Sequence, residues 1–143
     1  MQDVGFKVMN GVHRLVVAAS GGMLGWRAMG MPVVELTTKG RRTGQERTTF
    51  LTSPLQEGDA VVLVASRGGD DRHPAWFLNL QADPEVTVRV GGGQPRRMKA
   101  TVASPEERAR LWPLITRDHP NYAGYQKRTS REIPVVVLRP AAA

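Results

Sequence analysis

The chain has 143 residues, with 20 Lys and Arg against 13 Asp and Glu, a formal net charge of +7. That length suits one domain with a core of its own, and the lack of cysteine excludes a disulfide framework, a thiolate metal site and a cysteine nucleophile. A hydrophobic share of 41% with 23% charged residues is that of a globular chain, so the positive surplus is the informative quantity: it asks for an anionic partner, whether a phosphate-bearing cofactor, nucleic acid or an acidic membrane surface.

The first predicted element is an amphipathic helix over 8–19. Val8, Met9, Val12, Leu15, Val16 and Ala19 recur at helical spacing, with Lys7, Asn10 and Arg14 lying away from them. The low-charge stretch 15–26 is too short to span a bilayer, which takes about 20 apolar residues. Asp3 and the break at Ser20, Gly21 and Gly22 argue against a cleaved signal peptide. The apolar face is expected to pack on the protein's own core. Its basic rim leaves open a second reading, peripheral contact with an anionic bilayer, so the expected location is cytoplasmic with a membrane-peripheral variant.

After a glycine-rich break, 32–38 reads as a strand, 39–45 as a charged turn and 48–53 as a second strand. Glu57, Gly58 and Asp59 then turn the chain into a continuous apolar strand over 60–66, which with the strand before it reads as a central hairpin. A polar loop over 66–73 follows. Pro74 opens a short helix through Trp76, Phe77, Leu80 and Ala82, which Asp83 and Pro84 stop. Strands at 86–90 and 96–102 flank the triple glycine 91–93 as a second hairpin. Ser104, Pro105 and Glu107 form an N-terminal signature for a helix to about residue 117, with Ala109, Leu111, Trp112 and Ile115 as its apolar positions and Pro113 as a kink or early stop. A connector over 119–126 leads to a last strand at 133–138.

Strands joined by tight turns rather than helical crossovers argue for a mainly β chain with flanking helices, of the α+β class: a small antiparallel barrel, not a doubly wound sheet. The expected organisation is an N-terminal helix and linker over 1–31, a barrel domain over 32–140 and a tail over 141–143.

Two loops carry candidate chemistry. The turn around Lys39, Arg41, Arg42, Thr43 and Arg47 combines guanidiniums, suited to phosphate or carboxylate, with Gly40 and Gly44, which permit positive φ and close approach of an anion. An ordinary solvated turn is the plain alternative. The second loop, Val64, Ala65, Ser66, Arg67, Gly68 and Gly69, leaves the end of a buried strand, and the two loops are expected to frame one anion pocket. Trp76, Phe77 and Leu78 suit a core, and Trp76 or Asn79 also suits a flat cofactor ring. Tyr122 and Tyr125, three apart, share a face on a helical turn and serve either as a barrel plug or as a lid over a planar substrate.

His13, His73 and His119 are too far apart for a tight metal-ligand spacing, so no metal site is expected. No nucleophile elbow or acid–base dyad is visible, which puts any difficult chemistry on a bound cofactor. Nor is there a helix-turn-helix, an RNP-type aromatic motif or a zinc finger, and no nucleic-acid partner is expected.

The succession PVVELTTKGRRTGQER over 32–47, VASRGG over 64–69 and PAWFLNLQADP over 74–84 resembles the deazaflavin-dependent nitroreductase family of actinobacteria. The PEERA run over 105–109, Trp112-Pro113, HPNYAGYQ over 119–126 and IPVVV over 133–137 extend the likeness across about 32–140. The resemblance implies a split β-barrel related to flavin reductases and, as cofactor, the deazaflavin coenzyme F420 with its phosphate and polyglutamate tail. FMN is the alternative cofactor. By the same resemblance Arg41, Arg42, Thr43, Arg47, Thr48, Thr49, Phe50, Leu51 and Thr52 form one cofactor-binding stretch. Val64, Ala65, Ser66 and Arg67 form a second, and Ala75, Trp76, Phe77, Leu78 and Asn79 a third. Ser66 corresponds to a serine near the ring, and Tyr122 and Tyr125 to tyrosines of the substrate pocket, the three residues expected to be catalytic.

Two departures from the family pattern fall where the prototype shapes its substrate site. Phe50, Leu51 and Thr52 stand in place of a Pro-Leu pair followed by an aromatic residue, and His119 replaces a tyrosine. The expected activity is a deazaflavin-dependent oxidoreductase passing a hydride to an electron-poor acceptor, a quinone or a nitro compound. A binding protein that carries the deazaflavin or a lipophilic ligand without turnover is the competing expectation.

Overall fold

The computed structural model describes residues 27–28 and 30–141; the helix expected over 8–19 lies outside the described residues. The strands are β1 (Arg27–Ala28), β2 (Met31–Lys39), β3 (Glu46–Thr52), β4 (Leu55–Glu57), β5 (Ala60–Val64), β6 (Glu85–Val90), β7 (Arg96–Val102) and β8 (Val135–Pro140). Among the described residues, three helices, α1 (Ala75–Ala82), α2 (Pro105–Asp118) and α3 (Asn121–Lys127), and a 3₁₀ turn at Arg67–Gly69 accompany these strands. All strand pairs are antiparallel, in the order β3-β2-β6-β7-β8-β5-β4, with β1 against the start of β2. The sheet curls into the half-barrel of a split-barrel fold.

Curling gives the central strands two covered faces. On β5, Val61 and Leu63 point into the barrel, where Val34, Leu36, Val88, Val136 and Leu138 meet Trp76, Phe77 and Leu80 of α1. Val62 and Val64 point outward with Val135 and Val137 of β8, under Leu111 and Ile115 of α2 and Tyr122 of α3. Double burial explains why β5 and β8 read as unbroken apolar runs, while β7, buried only at Met98 and Ala100, alternates.

Local chemistry fixes the helix positions. The Ser104 hydroxyl accepts from the Glu107 N–H at 3.2 Å, with Pro105 at the first turn, so α2 starts where the sequence predicts. Glu107 sends its carboxylate to Arg139 at 3.1 Å. Pro113 does not end the helix, which runs on to Asp118, and Ala109, expected on the buried face, is exposed.

Three expectations need correction. Glu57, Gly58 and Asp59 do make a hairpin turn, but it joins β4 to β5, in the register Leu55↔Val62. The strand expected at 48–53 pairs instead with β2, Leu36 opposite Thr49, because the chain turns a corner at Ser53 and Pro54. Ser53 pins that corner from full burial, its hydroxyl 2.6 Å from the Val62 carbonyl and 3.0 Å from that of Leu55. The connector expected over 119–126 is largely α3, entered from Pro120, whose φ of −65° suits a helix start. The last strand begins at Val135 rather than 133. Pro134 has no N–H for a ladder, and Ile133 is buried in the outer core with its N–H donated to Gln126 Oε1 at 2.9 Å.

Candidate functional site

The β2–β3 turn is built to expose arginines. Gly40 N–H donates to the Gln45 carbonyl at 2.7 Å and Gly44 N–H to the Gly40 carbonyl at 2.8 Å. Of the two glycines, Gly44 alone has positive φ, +74°. Gly40 is needed for space instead, since a Cβ there would sit 3.1 Å from the Gln45 oxygen and 3.2 Å from Thr43 Oγ1. Asn79 of α1 fastens the turn from inside. Its Oδ1 accepts from the Arg41 backbone N–H at 3.2 Å and from the Arg41 guanidinium at 2.9 Å, and its Nδ2 donates to Thr38 Oγ1 at 3.2 Å. Both Asn79 and Thr38 are buried, and the satisfied amide sets where the basic turn lies relative to α1.

The second loop is tied down as firmly. Arg67, Gly68 and Gly69 take φ of 47°, 65° and 87°, a left-handed run that closes the chain tightly after β5. Arg67 pairs with Asp70 at 3.3 Å. From the segment after α3, Arg128 donates to the Gly68 carbonyl at 3.3 Å, and Thr129 donates to Asp71 at 2.7 Å. Arg131 donates to the carbonyls of Asp70, Ser66 and Ala65 at 2.8, 2.9 and 3.2 Å. Close packing makes Gly69 irreplaceable: a Cβ there would lie 2.7 Å from the Tyr125 carbonyl oxygen. Gly69→Ala is expected to cost about 2–3 kcal/mol through backbone strain and displacement of that neighbour. Gly68→Ala, at φ +65° with open space around it, is expected to cost about 1 kcal/mol. Urea denaturation of the two variants checks the difference, and equal losses would contradict it.

Between these loops lies a cleft of about 990 Å³. Arg41, Arg42 and Arg47 line it from the basic turn and its strand, and Arg67 and Arg72 from the second loop, with Asp71 the one carboxylate among its described lining residues. Phe50, Leu51, Pro74, Trp76 and Leu78 supply apolar surface beside this charge. Thr43, Thr48, Thr49, Ala75 and Asn79 also line it. Both loops flagged in the sequence thus border one cleft, rich in donors on one part of its wall and apolar on another.

The remaining sequence candidates lie elsewhere. Phe77, Val64, Ala65 and Ser66 are buried and are not among the lining residues, Phe77 in the inner core and Val64 in the outer one. Tyr122 and Tyr125 stand edge to face, ring centres 5.8 Å apart, but in the outer core rather than in the cleft. Tyr122 is 6% exposed, with its hydroxyl 3.7 Å from Met31 Sδ. Burial pushes its phenol above the ordinary tyrosine value, the neighbouring Thr52 hydroxyl pulls it back, and Tyr125 adds to the rise. Thr52 belongs with this group and is not a lining residue. Arg72 and His73 line the cleft, while Arg131 and Arg128 hold its loop, and the sequence reading singled out none of them for these roles. For Arg128 and Arg131 the sequence signal is the basic residues that follow α3.

A family model described as F420H(2)-dependent quinone reductase matches residues 11–140. The chain belongs to that family. An F420H(2)-dependent quinone reductase of Mycobacterium tuberculosis is 41% identical over 143 residues, covering 96% of this chain and 93% of the relative. Among solved structures, an F420-H2 dependent reductase superposes with a TM-score of 0.67 at 37% identity, covering 76% of this chain and 94% of that one. A second, described as a domain-swapped dimer, gives 0.67 at 33% identity, with coverages of 92% and 96%. Membership makes coenzyme F420 the cofactor and places the chain among oxidoreductases. No helix among the described residues is long and apolar enough to cross a membrane.

Proposed function

We propose that this chain transfers a hydride from reduced F420 to a quinone, with the coenzyme held in the cleft between the basic turn, the second loop and α1. The observation that carries the reading is the pairing of five arginines with an adjoining apolar wall in one cleft. Those residues fit the coenzyme: planar guanidiniums suit the phosphate and carboxylates of its tail, and Trp76, Leu78 and Leu51 offer flat or apolar surface to a fused ring.

The bound coenzyme would supply two-electron hydride donation. The chain's part is to bind and orient. Arg41, Arg42 and Arg47 neutralise the tail, Asn79 keeps their turn in register with α1, and Arg67 and Arg72 hold anionic groups from the opposite loop. Apolar side chains at the ring end exclude water, which strengthens every polar contact there. Reduction of a quinone to its quinol consumes the hydride and one proton. Tyr122 is not proposed as the source of that proton, since it is buried outside the cleft with a raised pKa.

Oxidation of reduced F420, followed by its absorbance with menadione and then with a nitroarene as acceptor, tests the reading. We expect turnover with the quinone. Rates equal to the protein-free blank together with tight F420 binding would favour a carrier, and preference for FMN over F420 in a binding titration would overturn the cofactor assignment.

A further inference from the structure

Arg131 does more than brace a loop. Its guanidinium has no acceptor atom, so its 3.2 Å contact between Nη1 and His73 Nδ1 requires Nδ1 to accept and the ring proton to reside on Nε2. The guanidinium is itself immobilised on the carbonyls of Ala65, Ser66 and Asp70. The His73 ring rests against Phe77, centroids 4.8 Å apart, and the residue lines the cleft, so Nε2 is the ring nitrogen left for a bound molecule. We infer that Arg131 is a positioning residue that fixes His73 as a neutral Nε2–H donor, presented to a carbonyl oxygen of the coenzyme or of its acceptor. This rests on the function proposed above only for the identity of the ligand.

The charges around the ring favour the same state. Arg131 stands behind it, Arg67, Asp71 and Arg72 lie on its own loop, and Arg41, Arg42 and Arg47 belong to the opposite wall. Asp70 faces Arg67, and α1 contributes the uncharged Phe77 ring. Burial first, and then the Arg131 charge, hold the imidazole below its ordinary value of 6.5. A neutral donor contributes a hydrogen bond without adding to the positive field of five arginines.

Imidazole ¹⁵N–¹H spectra of the protein test the inference directly, with His73 assigned by loss of its signal in His73→Gln. The expected result at pH 7 is a neutral Nε2–H ring, a tautomer mixture and a higher titration midpoint in Arg131→Met, and partial return in Arg131→Lys. An Nδ1–H or doubly protonated ring in the unsubstituted protein overturns the inference, even if Arg131→Met fails to fold. Adding F420 alone and menadione alone, with binding followed by fluorescence in the same samples, shows which ligand moves the Nε2–H signal. Saturated binding of both with that signal unmoved rejects the donor role. Failure of F420 to bind overturns the functional reading instead, while the ring's protonation state is still read without ligand. His73→Phe, which keeps the stacking, is expected to weaken the responding ligand about fivefold, and His73→Gln less than twofold.

Discussion

Arg42→Ala combined with Arg47→Ala is expected to raise the Kd for oxidised F420 about a hundredfold while leaving the unfolding midpoint close to that of the parent. The size follows from losing two charge-assisted contacts to an anionic tail, each worth about 1.4 kcal/mol after allowance for solvent. Both side chains belong to exposed residues of the basic turn, so removing them spares the core. Two further readouts identify the tail as the origin. The salt dependence of binding should flatten in the double variant. The deazaflavin ring stripped of phosphate and glutamates should bind parent and variant alike, and a hundredfold loss for the stripped ring too would show that these arginines hold the ring rather than the tail.

The second large effect is expected at Asn79, an uncharged residue that is buried beneath the basic turn. Asn79→Ala strips the acceptor from the Arg41 N–H and guanidinium and the donor from Thr38, the latter 2% exposed. Leaving such groups unpaired costs about 2–3 kcal/mol, which for a domain of this size lowers Tm by roughly 8 °C. Affinity should fall as well, about tenfold, because the basic turn loses its registration against α1. Asn79→Asp keeps the acceptor for Arg41 and should recover most of the affinity. Calorimetry with a parallel F420 titration separates the two effects, and an unaltered Kd in a destabilised Asn79→Ala would show that the turn holds its position without the amide.

Much of this arrangement is legible in the sequence wherever the signal is local. The Ser104 cap, the glycines of the basic turn, the doubly apolar β5 and the alternation of β6 each depend on neighbours within a few residues. The errors arise where partners are distant. Nothing within 48–66 reveals that β3 pairs back to β2 while β5 pairs forward to β8; the buried Ser53 corner decides it through a contact nine residues away. Helix α3 is obscured by Pro120 and Gly124, which read as loop signals until Tyr122 is buried against the outer core. Loop composition and strand order led to the expectation that the two arginine loops frame one pocket, and residues of both line one cleft. The family resemblance does not reveal that Tyr122 and Tyr125 pack with the outer core and are not among the cleft's described lining residues, nor that Asn79 works as a fastener, because those depend on which face of each helix meets the sheet. Arg131 was invisible for a similar reason: its four partners lie 58 to 66 residues upstream.

The place of β8 in the sheet governs how its two parts are joined. One part of the sheet, β3-β2-β6-β7, and the other, β5-β4, have no strand in common except β8, which pairs with β7 on one side and β5 on the other. It also comes after all the other strands in chain order among the described residues. Without it β5 and β7 each have an unpaired edge, and the outer core under the helices lacks Val135 and Val137. The sheet that carries both walls of the cleft is therefore continuous only once β8 is in place, joined through pairings distant in sequence.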